Sequence, residues 1–413
     1  VVLQTLRIIK PESGISDIKI VFVGVAGQHI VCTENGVEKI RGKYDEIITQ
    51  DEIEMLKDDA AKLQLSSESE IEVLHVIPQN YSIDEQHGIL DPVGRLGRKL
   101  VGHFYVVTGR RTTKTHVNAC MEMLKLSLQQ LILEPIASAR AILSDEEKEI
   151  GVAMIDIGGG TTDLIMYKDG TVIHTAVIPF GGNVITEDIK TVCSILYSQA
   201  EIIKIECGLL PPGKKNESYK VDGISGRPSR YLSLTTISKI ISSRMNEILD
   251  MVLYEILRNT QQHVKLGAGI VVTGGVSKMK GIKEFIEYKL NEEAKHNEKI
   301  RERLKIEVIV GSPNYISDSD ANIVHPKYST AVGLVMCGFD IMENLSTESR
   351  SDESPKPDGT QKPDGSQNPD GSSNPDGSPD RWTLLMSWLS KCKTKIKEGI
   401  SAFMNSQQDE RND

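Results

Sequence analysis

The pattern of apolar and polar positions is clearest around a glycine turn near the middle of the chain. Val152 to Ile155 form an apolar run that ends at Asp156, Gly158-Gly159-Gly160 interrupt it, and Leu164 to Tyr167 form a second run. The pattern predicts two strands joined by a glycine turn, a hairpin turn at Asp169-Gly170, and a third strand over Thr171 to Pro179. Upstream, Val1 to Lys10 has helical spacing and IKIVFVGVAG reads as a buried strand with a small-residue turn. Over Ile47 to Leu63, Thr49 and Glu52 have capping-box spacing, and Ile53, Leu56, Ala60 and Leu63 fall on one helical face. Ile71 to Pro78 is a strand, and Tyr81 to Leu100 is loop-rich, which suggests a small α+β unit over about Ser13 to Leu100.

From His103 the pattern continues as a strand, then a helix over Lys114 to Gln129, then LILEPIASARAIL with Glu134 at the end of an apolar helix. Phe180-Gly181-Gly182 precedes a helix expected from Thr186, with Ile189, Val192, Cys193 and Leu196 on one stripe. Pro211 to Arg230 reads as an inserted loop or hairpin, and Thr235 to Arg258 as a long amphipathic helix. Gly269 to Lys280 gives strand, glycine turn and helix start. Val308 to Gly311 reads as a further strand, and Tyr328 to Phe339 as a final buried helix.

Beyond Met342 the pattern changes. Residues 346–380 carry KPDGTQ, KPDGSQ, NPDGSS and NPDGSP, repeats with nothing apolar to pack, and so read as a disordered tether. Over 381–405, Trp382, Leu385, Leu389, Ile396, Ile400 and Phe403 recur at helical steps, Trp388 widens the apolar face, and Lys391, Lys393, Lys395 and Lys397 add positive charge. A helix of this kind on a leash suits the surface of an anionic membrane; docking on a partner or on the protein's own body is the alternative.

Composition narrows the picture. The chain has 413 residues, 39% hydrophobic and 26% charged, enough for two or three ordinary globular domains. A net charge of -10 argues against broad nucleic-acid binding. The six cysteines show no CxxC or metal-type spacing and read as reduced thiols. No apolar stretch is long enough to span a bilayer.

The chemistry concentrates at the glycine turns. Gly158, Gly159 and Gly160 let backbone N–H groups approach phosphate oxygens, Asp156 at the strand end can hold a hydrated Mg²⁺, and Thr161 and Thr162 offer hydroxyls beside Asp163. A tight hairpin without a ligand is the plainer alternative. Thr273-Gly274-Gly275 repeats the strand-to-glycine logic, and the N–H groups of Phe180-Gly181-Gly182 could add to a phosphate site. Glu201 and Lys204 lie three apart on a helix and can face one ligand, or form a surface ion pair.

DIGGGTTD closely resembles the second phosphate loop of the actin-like ATPase superfamily, and GIVVTGGVSKMK resembles its adenosine-binding segment, which includes Val276. In that superfamily the helix carrying Glu201 and Lys204 contacts ribose and base, and an acid at the position of Glu134 lies near the hydrolytic water; a purely structural glutamate is the other reading. With GVAGQHI, LHVIPQNYSIDEQHGILDPVGRLGRKL, AEIIKIECG and the terminal helix, the chain closely resembles the FtsA family of bacterial cell-division proteins over about Gly14 to Phe339. The resemblance implies an α/β, actin-like (ribonuclease-H-like) two-domain fold with a small α+β inserted subdomain, ATP and Mg²⁺ in the interdomain cleft, slow turnover at most, and self-association into filaments. It also implies recruitment of FtsZ, through its C-terminal peptide, and of other divisome membrane proteins to the cytoplasmic face of the inner membrane at the division site.

On that basis residues 1–12 are a remnant of the first domain, 13–100 the inserted subdomain and 101–150 the rest of the first domain. The second domain is divided into 151–204 on the phosphate side and 265–330 on the adenosine side, with an FtsZ-binding subdomain at 205–264. Residues 331–345 return to the first domain. Arg227, Arg230 and Arg244 are the basic residues expected to meet an acidic FtsZ peptide. The family's first phosphate loop, a DIGT-type strand, has no counterpart ahead of the inserted unit, so the chain reads as N-terminally incomplete. A DnaK-type chaperone, a small-molecule kinase of the sugar-kinase branch and a pilus-assembly relative are the competing readings; the first would need a β substrate domain, the second a substrate pocket with a catalytic acid in the first domain, and the third would not need the terminal helix.

Overall fold

A computed structural model of the chain describes residues 19–27, 30–42, 46–65, 70–209, 217–223, 225–260, 264–314 and 324–351. The helix expected over 1–10, the tether beyond residue 351 and the whole of the 381–405 helix, with every membrane-facing residue named on it, lie outside the described residues. The strands in chain order are β1 (Ile20–Val25), β2 (Val31–Ile40), β3 (Ile71–Ile83), β4 (Gln86–Ile89), β5 (Lys99–Arg110), β6 (Ser127–Leu133) and β7 (Val152–Ile157). They continue as β8 (Thr162–Lys168), β9 (Thr171–Ile178), β10 (Ser218–Val221), β11 (Arg230–Ser233), β12 (Ile270–Thr273) and β13 (Val308–Val310).

A five-stranded sheet in the order β13-β12-β7-β8-β9 forms the centre of the second domain. Strand β7 is buried on both faces, because successive side chains point to opposite sides of a strand. Ala153, Ile155 and Ile157 pack with Ile185, Ile189, Ile203, Ile241 and Ile248 of the helices on one face. Val152 and Met154 pack on the other face with Ala139, Ile142 and Leu143. The turn between β8 and β9 has φ of 50° at Asp169 and 76° at Gly170, the two positive values that a type I′ hairpin requires.

On the first-domain side, β1 pairs in parallel with β6, and the helix Ser329–Ser351 lies across the helix Glu134–Ile142. The two helices approach closely at Gly333, where an added Cβ would sit 1.7 Å from the Ala137 carbonyl oxygen. Arg140 and Asp340 join them at 2.7 and 3.2 Å. A separate four-stranded antiparallel sheet, ordered β2-β5-β3-β4, carries the helix Gln50–Leu65 on one face. Ile53, Leu56 and Ala60 of that helix pack on Tyr81, Leu100 and Phe104, and Thr49 and Glu52 exchange the two capping-box hydrogen bonds.

Several boundaries differ from the sequence expectations. The strand Ile20–Val25 belongs with β6, so the four-stranded unit runs from Val31 to Arg110, later at both ends than 13–100. Strand β3 runs through Pro78 to Ile83 because a register shift between Pro78 and Asn80 absorbs the missing N–H, so the stretch from Tyr81 is less loop-like than its composition suggests. The helix expected over Lys114 to Gln129 stops at Met123; Lys125 turns at φ 57°, and SLQQLIL becomes a strand once β1 offers it a ladder. Glu134 therefore begins a helix instead of ending one, with Pro135 in the first turn, where its missing N–H costs nothing. The helix expected from Thr186 starts at Gly182, leaving Leu196 beyond its end and Val192 exposed. Leu63 is exposed, and the last helix continues to Ser351.

Candidate functional site: an acid cluster between glycine turns

Two carboxylates face each other where β7 ends and β8 begins, and a third lies near enough to act on both electrostatically. Asp156 closes β7 and lies opposite Asp163 of β8 in the antiparallel register, so both side chains project from the same face. Like charges directly opposed across two strands are destabilising, and Glu134, at the start of its helix, adds a third acid. Burial and then Asp156 raise the Glu134 carboxyl above the usual range. Burial, followed by Asp156 and Glu134, pushes the Asp163 carboxyl up to about 8. Burial also raises Asp156, against two hydroxyls that favour its anion. These are Ser138 Oγ, which donates to Asp156 Oδ2 at 2.8 Å, and Thr330 Oγ1, which donates at 3.3 Å; Ser138 and Thr330 are themselves 2.9 Å apart.

The glycines bring three turns against these acids. Gly158 N–H donates to the Thr161 carbonyl at 2.9 Å, closing the turn with Gly159 and Gly160 exposed at its tip. A Cβ on Gly181 would lie 2.6 Å from the Gly158 carbonyl and 2.8 Å from that of Gly159. Gly274, at φ 85°, passes so near that a Cβ would lie 2.4 Å from Asp156 Oδ1. Gly275 is exposed beside it with open space around its Cα. Together the glycines let three backbone turns meet beside the acid cluster.

Several expected contributors are engaged elsewhere. The buried Thr162 hydroxyl donates to the Phe180 carbonyl at 2.8 Å and braces one turn against the other, so of the two threonines only Thr161 stays partly exposed for a ligand. The N–H groups of Gly182 and Asn183 donate to the Gly158 and Gly159 carbonyls at 2.8 Å each; Gly182 thus clamps the loop and is not free to bind a phosphate. Lys204 is buried, and its ammonium donates to Gly182 O at 3.0 Å, Thr186 Oγ1 at 2.8 Å and Glu201 Oε2 at 2.7 Å. Those acceptors use all three of its hydrogens, so Lys204 supports the Gly182 turn from beneath and Glu201 alone of the pair reaches solvent. Val276 is buried against Gly182 in the hydrophobic core.

The basic residues are similarly committed. Arg244 makes a forked ion pair with Asp188 at 2.7 and 3.2 Å, and Arg230 donates to the Cys193 and Ser194 carbonyls at a helix C-terminus at 3.0 and 2.8 Å. Arg227 is exposed in the turn of the β10-β11 hairpin.

The site also contains two residues that the sequence reading missed. Ser138 lies one helical turn beyond Glu134 and would have been found had the helix been started there. Thr330 is 174 residues from Asp156, and nothing in its surroundings announces the contact.

The donor set fits a hydrated divalent cation. Asp163 Oδ1 is buried with no hydrogen-bond partner, and opposed acids beside it favour a positive charge. Among the described residues no three or more metal-ligating side chains converge on one point. Mg²⁺ takes one or two carboxylates and completes its shell with water and phosphate oxygens, so Asp156 and Asp163 are the side chains that would hold it.

Comparison with known proteins agrees with this architecture. Residues 153–333 match the family described as "Cell division protein FtsA", and residues 27–108 match "SHS2 domain inserted in FTSA". Cell division protein FtsA of Neisseria meningitidis serogroup B is 36% identical over 335 residues, covering 80% of this chain and 76% of that protein. The FtsA of Escherichia coli K12 is 35% identical over 327 residues, 77% of this chain and 73% of that protein. A PilM–PilN type IV pilus biogenesis complex aligns with TM-score 0.49 and 15% identity over 81% of this chain and 85% of that one. The α/β body carries its four-stranded unit between β1 and β6, over the stretch that matches the inserted SHS2 domain of that family. The resemblance seen in the sequence is borne out: the chain belongs to the FtsA family of cell division proteins.

Proposed function

We propose that the chain is a nucleotide-switched, membrane-tethered scaffold of the bacterial division ring. In this reading ATP lies in the cleft, its phosphates against the turns at Gly158–Gly160 and Gly274-Gly275, with Glu201 at the ribose side. Asp156 and Asp163 hold a hydrated Mg²⁺, which when bound neutralises phosphate charge. Glu134 orients water, and turnover is slow at most. The observation that carries the reading is the pair of buried acids Asp156 and Asp163 with half-buried Glu134 beside them, an arrangement that costs stability unless a cation accompanies it.

The scaffold self-associates into filaments and holds FtsZ, through its C-terminal peptide, and other divisome proteins at the cytoplasmic face of the inner membrane. Arg227 is the exposed basic residue left for an acidic peptide. Among the described residues no helix is long and apolar enough to cross a membrane; membrane contact is assigned to residues 381–405 from their apolar and basic sequence pattern. Two experiments test the proposal. Binding of a fluorescent ATP analogue to the full chain should require Mg²⁺ and be lost in Asp156→Asn; Mg²⁺-independent binding would overturn the site assignment. The full chain should co-sediment with anionic liposomes and bring an FtsZ C-terminal peptide down, whereas a chain ending at Asp380 should stay in solution; equal behaviour of the two chains would overturn the tether.

A further inference from the structure

Away from the acid cluster, a line of hydrogen-bonded side chains crosses from the inserted subdomain into the second domain. Tyr105 is on β5, a central strand of the four-stranded sheet, and is 3% exposed. Its Oη lies 3.0 Å from His174 Nδ1 and accepts the Thr175 backbone N–H at 3.1 Å, both on β9. His174 Nε2 is 3.0 Å from Glu255 Oε2 on the helix Leu234–Asn259. Asn259 Nδ2 donates to the Glu255 backbone and carboxylate oxygens at 2.8 and 3.1 Å, fixing that carboxylate, and lies 3.1 Å from His174 Nε2.

Counting donors gives the line a direction. Glu255 only accepts, and Asn259 Nδ2 uses its two hydrogens on the Glu255 oxygens, so the neutral imidazole carries its hydrogen on Nε2 and donates there. Its bare Nδ1 accepts from the Tyr105 hydroxyl, which in turn accepts from Thr175. Every polar group in the line is satisfied in this one tautomer. The strand it grips is the edge of the five-stranded sheet, and that strand runs directly into Phe180-Gly181-Gly182. We infer that Tyr105, His174 and Glu255 form an interdomain positioning relay that locks the inserted SHS2 subdomain to the edge of the second-domain sheet and, through β9, sets the position of the second glycine turn. The inference needs only the geometry of that turn and not the identity of its ligand.

Protonating His174 would reverse the bond to Tyr105 while keeping the one to Glu255. An Nδ1–H would point at the Tyr105 oxygen, and the Tyr105 hydrogen would have to turn toward Cys32 on β2. The charged and titratable groups that act on the imidazole are Glu255 and Arg258 from the helix, with Tyr105 from β5 bonded to it; Cys32 and Glu34 from β2 act on the Tyr105 hydroxyl. Burial, the largest influence, lowers the His174 pKa; Glu255 raises it and Arg258 lowers it. The contribution of the neutral relay is therefore complete above the ordinary histidine range and is lost as pH falls through the depressed folded-state value.

Hydrogen exchange and nitrogen NMR on the full chain test this. Tyr105→Phe removes only the hydroxyl. It should speed exchange about tenfold or more in segments spanning 173–178 and 179–184 while β7 is unchanged; unchanged rates in both segments would overturn the relay. Glu255→Gln should produce part of the same change, and the double variant should fall well short of the product of the two, because both act through His174; a multiplicative result would overturn the linkage. In the wild-type chain the imidazole nitrogens should report the Nε2–H tautomer at about pH 6. Titration at the ordinary histidine value, or the opposite tautomer, would overturn the direction and leaves the test independent of whether either variant folds.

Discussion

Asp163→Asn provides the sharpest test of the acid cluster. In the folded chain the Asp163 carboxyl holds its proton up to about 8, against 3.8 for an ordinary aspartate. Its folded pKa is thus raised, so the folded state binds the proton more tightly than the unfolded chain. The stability it allows is present below the unfolded value and is lost as pH rises toward the folded one. Over the window from 3.8 to about 8, each pH unit removes about 1.4 kcal/mol, or about 4 kcal/mol by pH 7. Asp163 is 5% exposed, so solvent does little to screen this penalty. Asparagine keeps the shape and carries no charge. The variant should be about 2–4 kcal/mol more stable than wild type at neutral pH without nucleotide, and the gain should shrink toward about pH 5. Urea-unfolding midpoints in EDTA from about pH 5 to about pH 8 measure this directly. Adding Mg²⁺ and nucleotide should reverse the order, because only the carboxylate gains from the cation. A variant no more stable than wild type at neutral pH, with a parallel pH dependence, would refute the reasoning.

Three further outcomes follow from the same geometry. Gly274→Ala forces a side chain into φ 85°, ψ 176° and against Asp156 Oδ1, and should lower stability by about 3–5 kcal/mol by urea unfolding and abolish nucleotide binding. Thr162→Val should cost about 1–2 kcal/mol by leaving the Phe180 carbonyl unpaired, whereas Thr161→Val should leave stability within about 0.5 kcal/mol and weaken binding of a fluorescent ATP analogue. Lys204→Met should cost about 2–4 kcal/mol in unfolding measurements because Gly182 O and Glu201 lose a buried donor, and Glu201→Gln added to it should restore part of the loss.

Local pattern determined much of this protein. The alternation along Val152–Ile157 and Leu164–Tyr167, the turn at Asp169-Gly170 and the stripe on Leu234–Asn259 all depend on neighbours within a few residues, and the structure shows them where the sequence puts them. The acid–glycine motif was legible for the same reason: Asp156, Gly158–Gly160 and Asp163 lie on one hairpin. Pairing and side-chain direction were settled by partners distant in sequence. SLQQLIL is a strand because β1, more than a hundred residues earlier, supplies its ladder, and that choice moves Glu134 from a helix end to a helix start. Thr162, Lys204, Arg230 and Arg244 looked available because a lone polar side chain carries no sign of whether it is already bonded. The hydroxyls on Asp156 and the relay through Tyr105, His174 and Glu255 join residues from separate elements, with spans of 174 residues from Asp156 to Thr330 and 69 from Tyr105 to His174. Sequence periodicity reports which face of an element is buried; only the folded chain decides what that face meets, because hydrogen bonds and ion pairs depend on distances of a few ångströms that the order of residues does not contain.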